Sequence, residues 1–124
     1  MPEGEMSQQL QDQINRLQQV RSQVQTIMQQ KQQVEIRIKE INDALEELDK
    51  TSEKTPIYKS VGSILIKAKG KKQISEELKS DKKSLELRKK TLDKQEGRAK
   101  ENLNELQSKV QNALNVAQGP QGTN

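Results

Sequence analysis

The stretch Thr55–Gly70, TPIYKSVGSILIKAKG, lies between two long heptad-patterned segments and decides how they are joined. It holds the chain's one aromatic residue, Tyr58, and its only dense β-branched run. Ile57, Val61, Ile64 and Ile66 favour a pleated strand, and Pro56 disfavours helix at Thr55. Gly62-Ser63 falls between two apolar runs and suits a two-residue II′ turn. Strands are predicted over 57–61 and 64–68, with Val61 opposite Ile64, Lys59 opposite Ile66 and Ile57 opposite Ala68. The other face carries Tyr58, Ser60, Leu65 and Lys67. Both faces are partly apolar. A solitary hairpin is marginal in water, and its open edges invite pairing. The economical expectation is completion by hairpins of other chains; a cap folded onto its own helices is the alternative. The residues assigned to oligomerisation are Ile57, Tyr58, Val61, Gly62, Ile64, Leu65 and Ile66.

Upstream, residues 1–7 read as a short mobile tail, and Ser7 suits the cap of a helix over 8–52. Apolar residues then alternate at spacings of three and four: Leu17, Val20, Val24, Ile27, Val34, Ile38, Ile41, Leu45 and Leu48, with Lys31 the one break. Such phase kept over several heptads signals a coiled coil. Gln, Glu, Lys and Arg fill the other positions and are good helix formers. Pro56 excludes continuation of this helix into the hairpin.

Downstream, a second helix is predicted over 72–117, with Ser75 suited to cap it and a mobile tail over 118–124. Leu78, Leu85, Leu92, Ala99, Leu106 and Ala113 recur every seven residues. The companion stripe is weak: Ile74, Asp81, Arg88 and Gln95. Beyond Ala99 the companions shift to Leu103, Val110 and Ala117, a rotation of the seam beside Gly97. Gly inside a helix costs about 1 kcal/mol relative to Ala, so 95–103 is expected to be the softest part.

Two long helices joined by a short hairpin fold back on each other. The fold class is therefore all-α dominated: a long antiparallel two-helix coiled coil with a single central β-hairpin. The stripes favour a register that sets Ile41 opposite Leu85, Val34 opposite Leu92 and Val20 opposite Leu106. A shift by one heptad would oppose Lys31 to Arg88, a like-charge contact. Polar companions weaken alternate layers but help to fix the register.

Composition agrees. The 124 residues are 32% charged and 29% hydrophobic, with no Phe, Trp, Cys or His. Such a chain cannot fill a compact core, which leaves disorder or a helical structure with a narrow apolar seam. No apolar run approaches the ~20 residues that span a bilayer, and Met1–Leu10 lacks the apolar centre of a signal peptide. A cytoplasmic protein is expected. No catalytic site is found: there is no His or Cys to act as base or nucleophile, and no glycine-rich loop to cradle phosphate. Carboxylate pairs such as Glu46-Glu47 and Glu76-Glu77 read as solvated faces, so no metal and no cofactor are expected. The net charge of +4 is uneven. Residues 1–50 hold six basic and nine acidic residues, and residues 51–124 hold sixteen and nine. A basic half attracts nucleic acid, but its lysines are interleaved with glutamates and one aromatic is available for stacking.

Antiparallel folding brings the two termini together. There Met6, Leu10 and Ile14 meet Val110, Ala113, Leu114, Val116 and Ala117. Ile14, Leu114 and Val116 fall off the stripe, so these are more apolar groups than one seam hides. They are either frayed end packing or an exposed patch for a partner.

The hairpin Ile57-Tyr58-Lys59-Ser60-Val61-Gly62 with Ser63-Ile64-Leu65-Ile66 resembles that of the archaeal prefoldin beta subunits. The following helix also matches, at Ile74-Ser75-Glu76-Glu77-Leu78, Leu85-Glu86-Leu87-Arg88 and Arg98. The similarity covers roughly residues 7–117, and the Tyr-Lys-x-Val-Gly hairpin is its specific part. One hairpin points to the beta type, since the alpha type carries two. The resemblance implies a hexamer of two alpha-type and four beta-type subunits whose hairpins assemble into intersubunit β-barrels. It implies an ATP-independent chaperone that grips unfolded client proteins at the coiled-coil tips and passes them to a group II chaperonin. The tip residues above then become the client-binding set. A structural coiled-coil adaptor without client binding is the alternative function, and a basic nucleic-acid-binding coiled coil a third.

Overall fold

A computed structural model describes residues 3–118, with side chains over 8–116. Two helices flank one hairpin: α1, Glu3–Asp49; β1, Tyr58–Val61; β2, Ile64–Lys67; α2, Lys71–Gln118. The chain divides into two compact units, and both helices contribute to each. One unit holds the chain up to Gln30 with the chain from Leu92; the other is Lys31–Thr91 and contains the hairpin.

The helix ends correct the sequence reading. α1 starts at Glu3 rather than Gln8, so Ser7 stands inside the helix and not at its cap. The tails expected over 1–7 and 118–124 are thus helical at 3–7 and 118. Residues 1–2 and 119–124 lie outside the described residues. At its other end α1 stops at Asp49, short of residue 52. The Thr51 hydroxyl donates to the Leu48 carbonyl at 2.6 Å, and the Thr51 N–H donates to the same oxygen at 3.0 Å. These bonds satisfy a carbonyl that has no partner further along the helix. A turn follows, in which Thr55 N–H donates to the Ser52 carbonyl and Ser52 N–H donates to Thr55 Oγ1. α2 starts at Lys71, ahead of the predicted Ser75 cap. Its first turn is closed from within: Gln73 Oε1 accepts the Lys69 N–H at 3.1 Å, much as a capping-box side chain reaches back.

In the Lys31–Thr91 unit, Val34, Ile41 and Leu48 are buried, while Ile38 and Leu45 are only half-buried. The companions on α2 account for this. Leu78 and Leu85 are half-buried, but Asp81 and Arg88 are exposed. A charged group is held in water by the cost of desolvating it, so dry layers alternate with wet ones. Glu35 Oε1 lies 3.7 Å from Lys89 Nζ, and Lys71 Nζ donates to the Thr51 carbonyl at 3.0 Å. Position rises on α1 as it falls on α2, so the pairing is antiparallel. The Glu35–Lys89 pair fits the register with Ile41 opposite Leu85 and not the one shifted by a heptad.

In the other unit, Leu17, Val20, Leu106 and Val110 form a buried cluster, with Leu10, Ile14, Leu103 and Leu114 packed against it. Val20 and Leu106 share this cluster, as the predicted register requires. Leu92, also in this unit, is the most completely buried side chain, at 2% exposure. α2 runs unbroken through Gly97. A Cβ added at Gly97 would meet nothing within 4 Å.

Open space at Gly97 makes Gly97→Ala a helix-propensity change with no steric penalty. It should raise thermal stability by up to about 1 kcal/mol and slow amide exchange over 95–103. Uniformly slow exchange from Lys90 to Leu106 in the parent chain would contradict this. Leu92→Ala, by contrast, should destabilise by about 2–5 kcal/mol, since it deletes buried methylenes from a packed seam. Urea unfolding followed by circular dichroism measures both.

Candidate functional site

Two places on the chain carry more apolar surface than local packing needs. The first is the hairpin. Its register pairs Tyr58 with Lys67, Lys59 with Ile66, Ser60 with Leu65 and Val61 with Ile64, as the sequence predicts. Gly62 has φ of 60°, and among the described residues no non-glycine has positive φ. Positive φ at the first turn position and negative φ at Ser63 is the II′ pattern. The Ala68 N–H donates to the Ile57 carbonyl at 2.8 Å, extending the ladder one pair beyond the strands.

That bond sets the phase of the ladder. Antiparallel pairs alternate between bonded and non-bonded. With Ile57/Ala68 bonded, Lys59/Ile66 and Val61/Ile64 are bonded as well. The backbone N–H and C=O groups of Tyr58 and Ser60 therefore point outward along β1, and those of Leu65 and Lys67 along β2. All eight strand residues are exposed. Leu65 is 71% exposed, and Val61, Ile64 and Ile66 also lie open. Of the predicted oligomerisation residues, Ile57 alone is half-buried within the chain. Lys59 Nζ reaches Glu77 Oε2 on α2 at 3.2 Å, a tie from the hairpin to the helix. The pair is about half exposed, and such pairs contribute at most about 1 kcal/mol.

The second place is the paired helix ends in the unit from Leu92 onward. Leu10, Ile14, Ala113 and Leu114 are half-buried, and Val116 is 66% exposed. Val110, named with the tip residues, lies on the rotated seam stripe. It is 7% exposed and belongs to the buried cluster with Leu17, Val20 and Leu106. The reason is the seam rotation beyond Ala99, which turns Val110 inward. The side chains of Met6 and Ala117 lie outside the described residues. Gln13 is the polar position through which the α1 stripe extends back to Leu10 and Met6. Its Oε1 is buried with no hydrogen-bond partner among the described residues, a polar break in the stripe one layer from Leu17. Met28, Ile36 and Leu87 are exposed apolar residues off the stripes, and no periodic signal marks them.

Among the described residues no group of three or more Asp or Glu side chains is placed to hold a metal ion. No helix among them is long and apolar enough to cross a membrane. The arrangement offers apolar surface and open strand edges rather than a pocket of reactive groups.

Comparison with known proteins agrees with this geometry. The sequence pattern of the family described as "Prefoldin subunit" matches residues 11–116. The chain belongs to the prefoldin family. It sides with the prefoldin beta subunits: that of Archaeoglobus fulgidus is 41% identical over 116 residues, spanning 94% of this chain and 99% of the relative. That of Thermoplasma volcanium is 36% identical over 115 residues and 93% of each chain. The crystal structure of the prefoldin beta subunit from Thermococcus strain KS-1 superposes with a TM-score of 0.74 at 34% identity, covering 86% of this chain and 92% of that one. Prefoldin is a chaperone family, and its subunits are chaperones rather than enzymes.

A charge placed on a shared sheet face is buried without a partner. Val61→Asp or Ile64→Asp should therefore leave the helical circular dichroism of the chain unchanged while removing hairpin-mediated association. Sedimentation of either variant as an intact assembly would locate the association elsewhere.

Proposed function

We propose that this prefoldin beta-type chain captures non-native proteins in the cytoplasm through the apolar ends of its paired helices. It does so without ATP, within a hexamer of two alpha-type and four beta-type subunits joined through their hairpins into β-barrels. The cargo then passes to a group II chaperonin. The observation that carries the reading is the surplus at the helix ends. Val116 is exposed, and Leu10, Ile14 and Leu114 are half-buried around a cluster whose inner residues are already covered.

The physical case is one of weak, repeated contacts. Each buried methylene contributes about 0.8 kcal/mol, so one partly covered leucine holds a client briefly. Several subunits engaging one client raise avidity through effective concentration. Capture lowers the free concentration of aggregation-prone chains. Weak individual contacts also suit a protein that must release its cargo.

The test avoids the buried cluster. Leu10→Ser with Leu114→Ser and Val116→Ser should reduce protection of a diluted unfolded client, followed by light scattering, and leave assembly unchanged. Equal protection by mutant and parent assemblies at equal concentration would place the client surface elsewhere.

A further inference from the structure

In α2, residues 71–90 hold eight basic and four acidic residues, while residues 31–49 of α1 hold three and six. Three of the α2 lysines are engaged within the chain: Lys71 with the Thr51 carbonyl, Lys82 with Glu86 and Lys89 with Glu35. Lys72, Lys79, Lys83 and Lys90 are exposed, and no carboxylate lies within ion-pair distance of them among the described residues. These four fall in one row. Lys72, Glu76, Lys79, Lys83, Leu87 and Lys90 follow one another at spacings of four, three, four, four and three, which places them on one face of a helix. All six are exposed, and Leu87 stands 59% open, on the face turned away from the stripe of Leu78 and Leu85. Lys79 and Lys83 are like charges four residues apart, a spacing at which they destabilise a helix. A carboxylate held between them removes that cost.

The chemistry of the row selects its occupant. Four uncompensated ammonium groups call for an anion spread along the helix. From Lys72 to Lys90 the row runs about 27 Å at ~1.5 Å per residue, the length of about eight residues of extended polypeptide at ~3.3 Å each. A nucleic acid fits less well. It is repelled at Glu76, gains little at Leu87, and finds no aromatic side chain on the row on which a base stacks. The outer row of α1 in a second copy, Ile36, Glu40, Asp43 and Glu47, spans only about 16 Å and covers little more than half of the lysines. A longer acidic segment that also carries an apolar side chain meets both the charges and Leu87.

We propose that the outer row of α2, Lys72, Lys79, Lys83 and Lys90 with Leu87 among them, is a docking surface for an extended acidic polypeptide segment with an apolar residue between its carboxylates. The lysines supply charge attraction, and Leu87 supplies the contact that distinguishes this segment from any other polyanion. The row belongs to the Lys31–Thr91 unit, whereas the helix ends proposed for client capture belong to the other. The two readings therefore stand or fall separately.

The test uses the full chain and a fluorescent peptide of about eight residues, glutamates around one central leucine, with binding followed by anisotropy. Exposed ion pairs change an equilibrium by up to about fivefold each. Lys72→Gln, Lys79→Gln, Lys83→Gln and Lys90→Gln together should therefore weaken binding about tenfold or more at about 0.01 M salt, where the screening length is about 30 Å. Glutamine is a good helix former, so the helical circular dichroism should not change. Leu87→Ser should weaken binding about threefold or more through lost apolar burial. Serine in place of the peptide's leucine should give the same loss, and the two losses should not add. At about 1 M salt, where the screening length is about 3 Å, the lysine effect should vanish and the Leu87 effect persist. Leu10→Ser with Leu114→Ser and Val116→Ser should bind the peptide as the parent does. A four-glutamine or Leu87→Ser variant that binds like the parent overturns the proposal. An oligonucleotide of equal charge that binds more tightly than the peptide makes the row a phosphate surface and overturns it. Self-association of the parent that the four-glutamine variant abolishes makes a second copy the occupant and overturns it too. Loss of peptide binding in the helix-end variant moves the site to the helix ends, which overturns this proposal and leaves client capture standing.

Discussion

Two narrow apolar stripes, one on each helix, are nearly all this chain has to bury, and every other feature depends on their meeting. With 29% hydrophobic residues and one aromatic, there is no reserve for a second core. The conformational entropy lost in ordering two long helices is offset mainly along this seam. Helix propensity helps, because Gln, Glu, Lys and Arg dominate the outer positions. It does not suffice alone, since most helical stability in proteins comes from packing an apolar face.

The seam is uneven by construction. In the Lys31–Thr91 unit, layers built from Val34, Ile41 and Leu48 are dry, and those containing Ile38 or Leu45 stay partly wet, with Asp81 and Arg88 exposed on α2. A polar companion weakens its own layer, yet a slip by one heptad is penalised more, because it would oppose Lys31 to Arg88. Glu35–Lys89 adds a charge match on the flank of the seam. Toward the chain ends Gln13 interrupts the stripe again, with its carbonyl oxygen buried and unpaired among the described residues. An unpaired buried acceptor costs roughly 1–3 kcal/mol. Client contact is proposed at these helix ends.

The hairpin has the opposite economy. It has a well-set II′ turn and a full bonding ladder, but Leu65, Ile64 and Tyr58 stand exposed. Exposed strand edges are hazards unless they are paired or guarded by charge. Here the guard is lysine, at Lys59 and Lys67 within the strands and Lys69 just beyond.

Much of this was legible in the sequence because the signals are periodic and local. Spacings of three and four revealed both helices, and the β-branched run around Gly62-Ser63 revealed the hairpin with its register. Pairing of the leucine stripes revealed the antiparallel alignment. The family resemblance rested on the same hairpin residues. The start of α1 was placed late because Ser7 looks like a cap, and Ser75 stands inside α2, whose first turn Gln73 closes from within. Only the tertiary structure decided which apolar residues are covered. Val110, on the rotated stripe but grouped with the tip residues, is buried, while Leu65, in a strand as apolar as any stripe, is open to water. Periodicity states which side chains share a face; it does not state whether another element lies against that face.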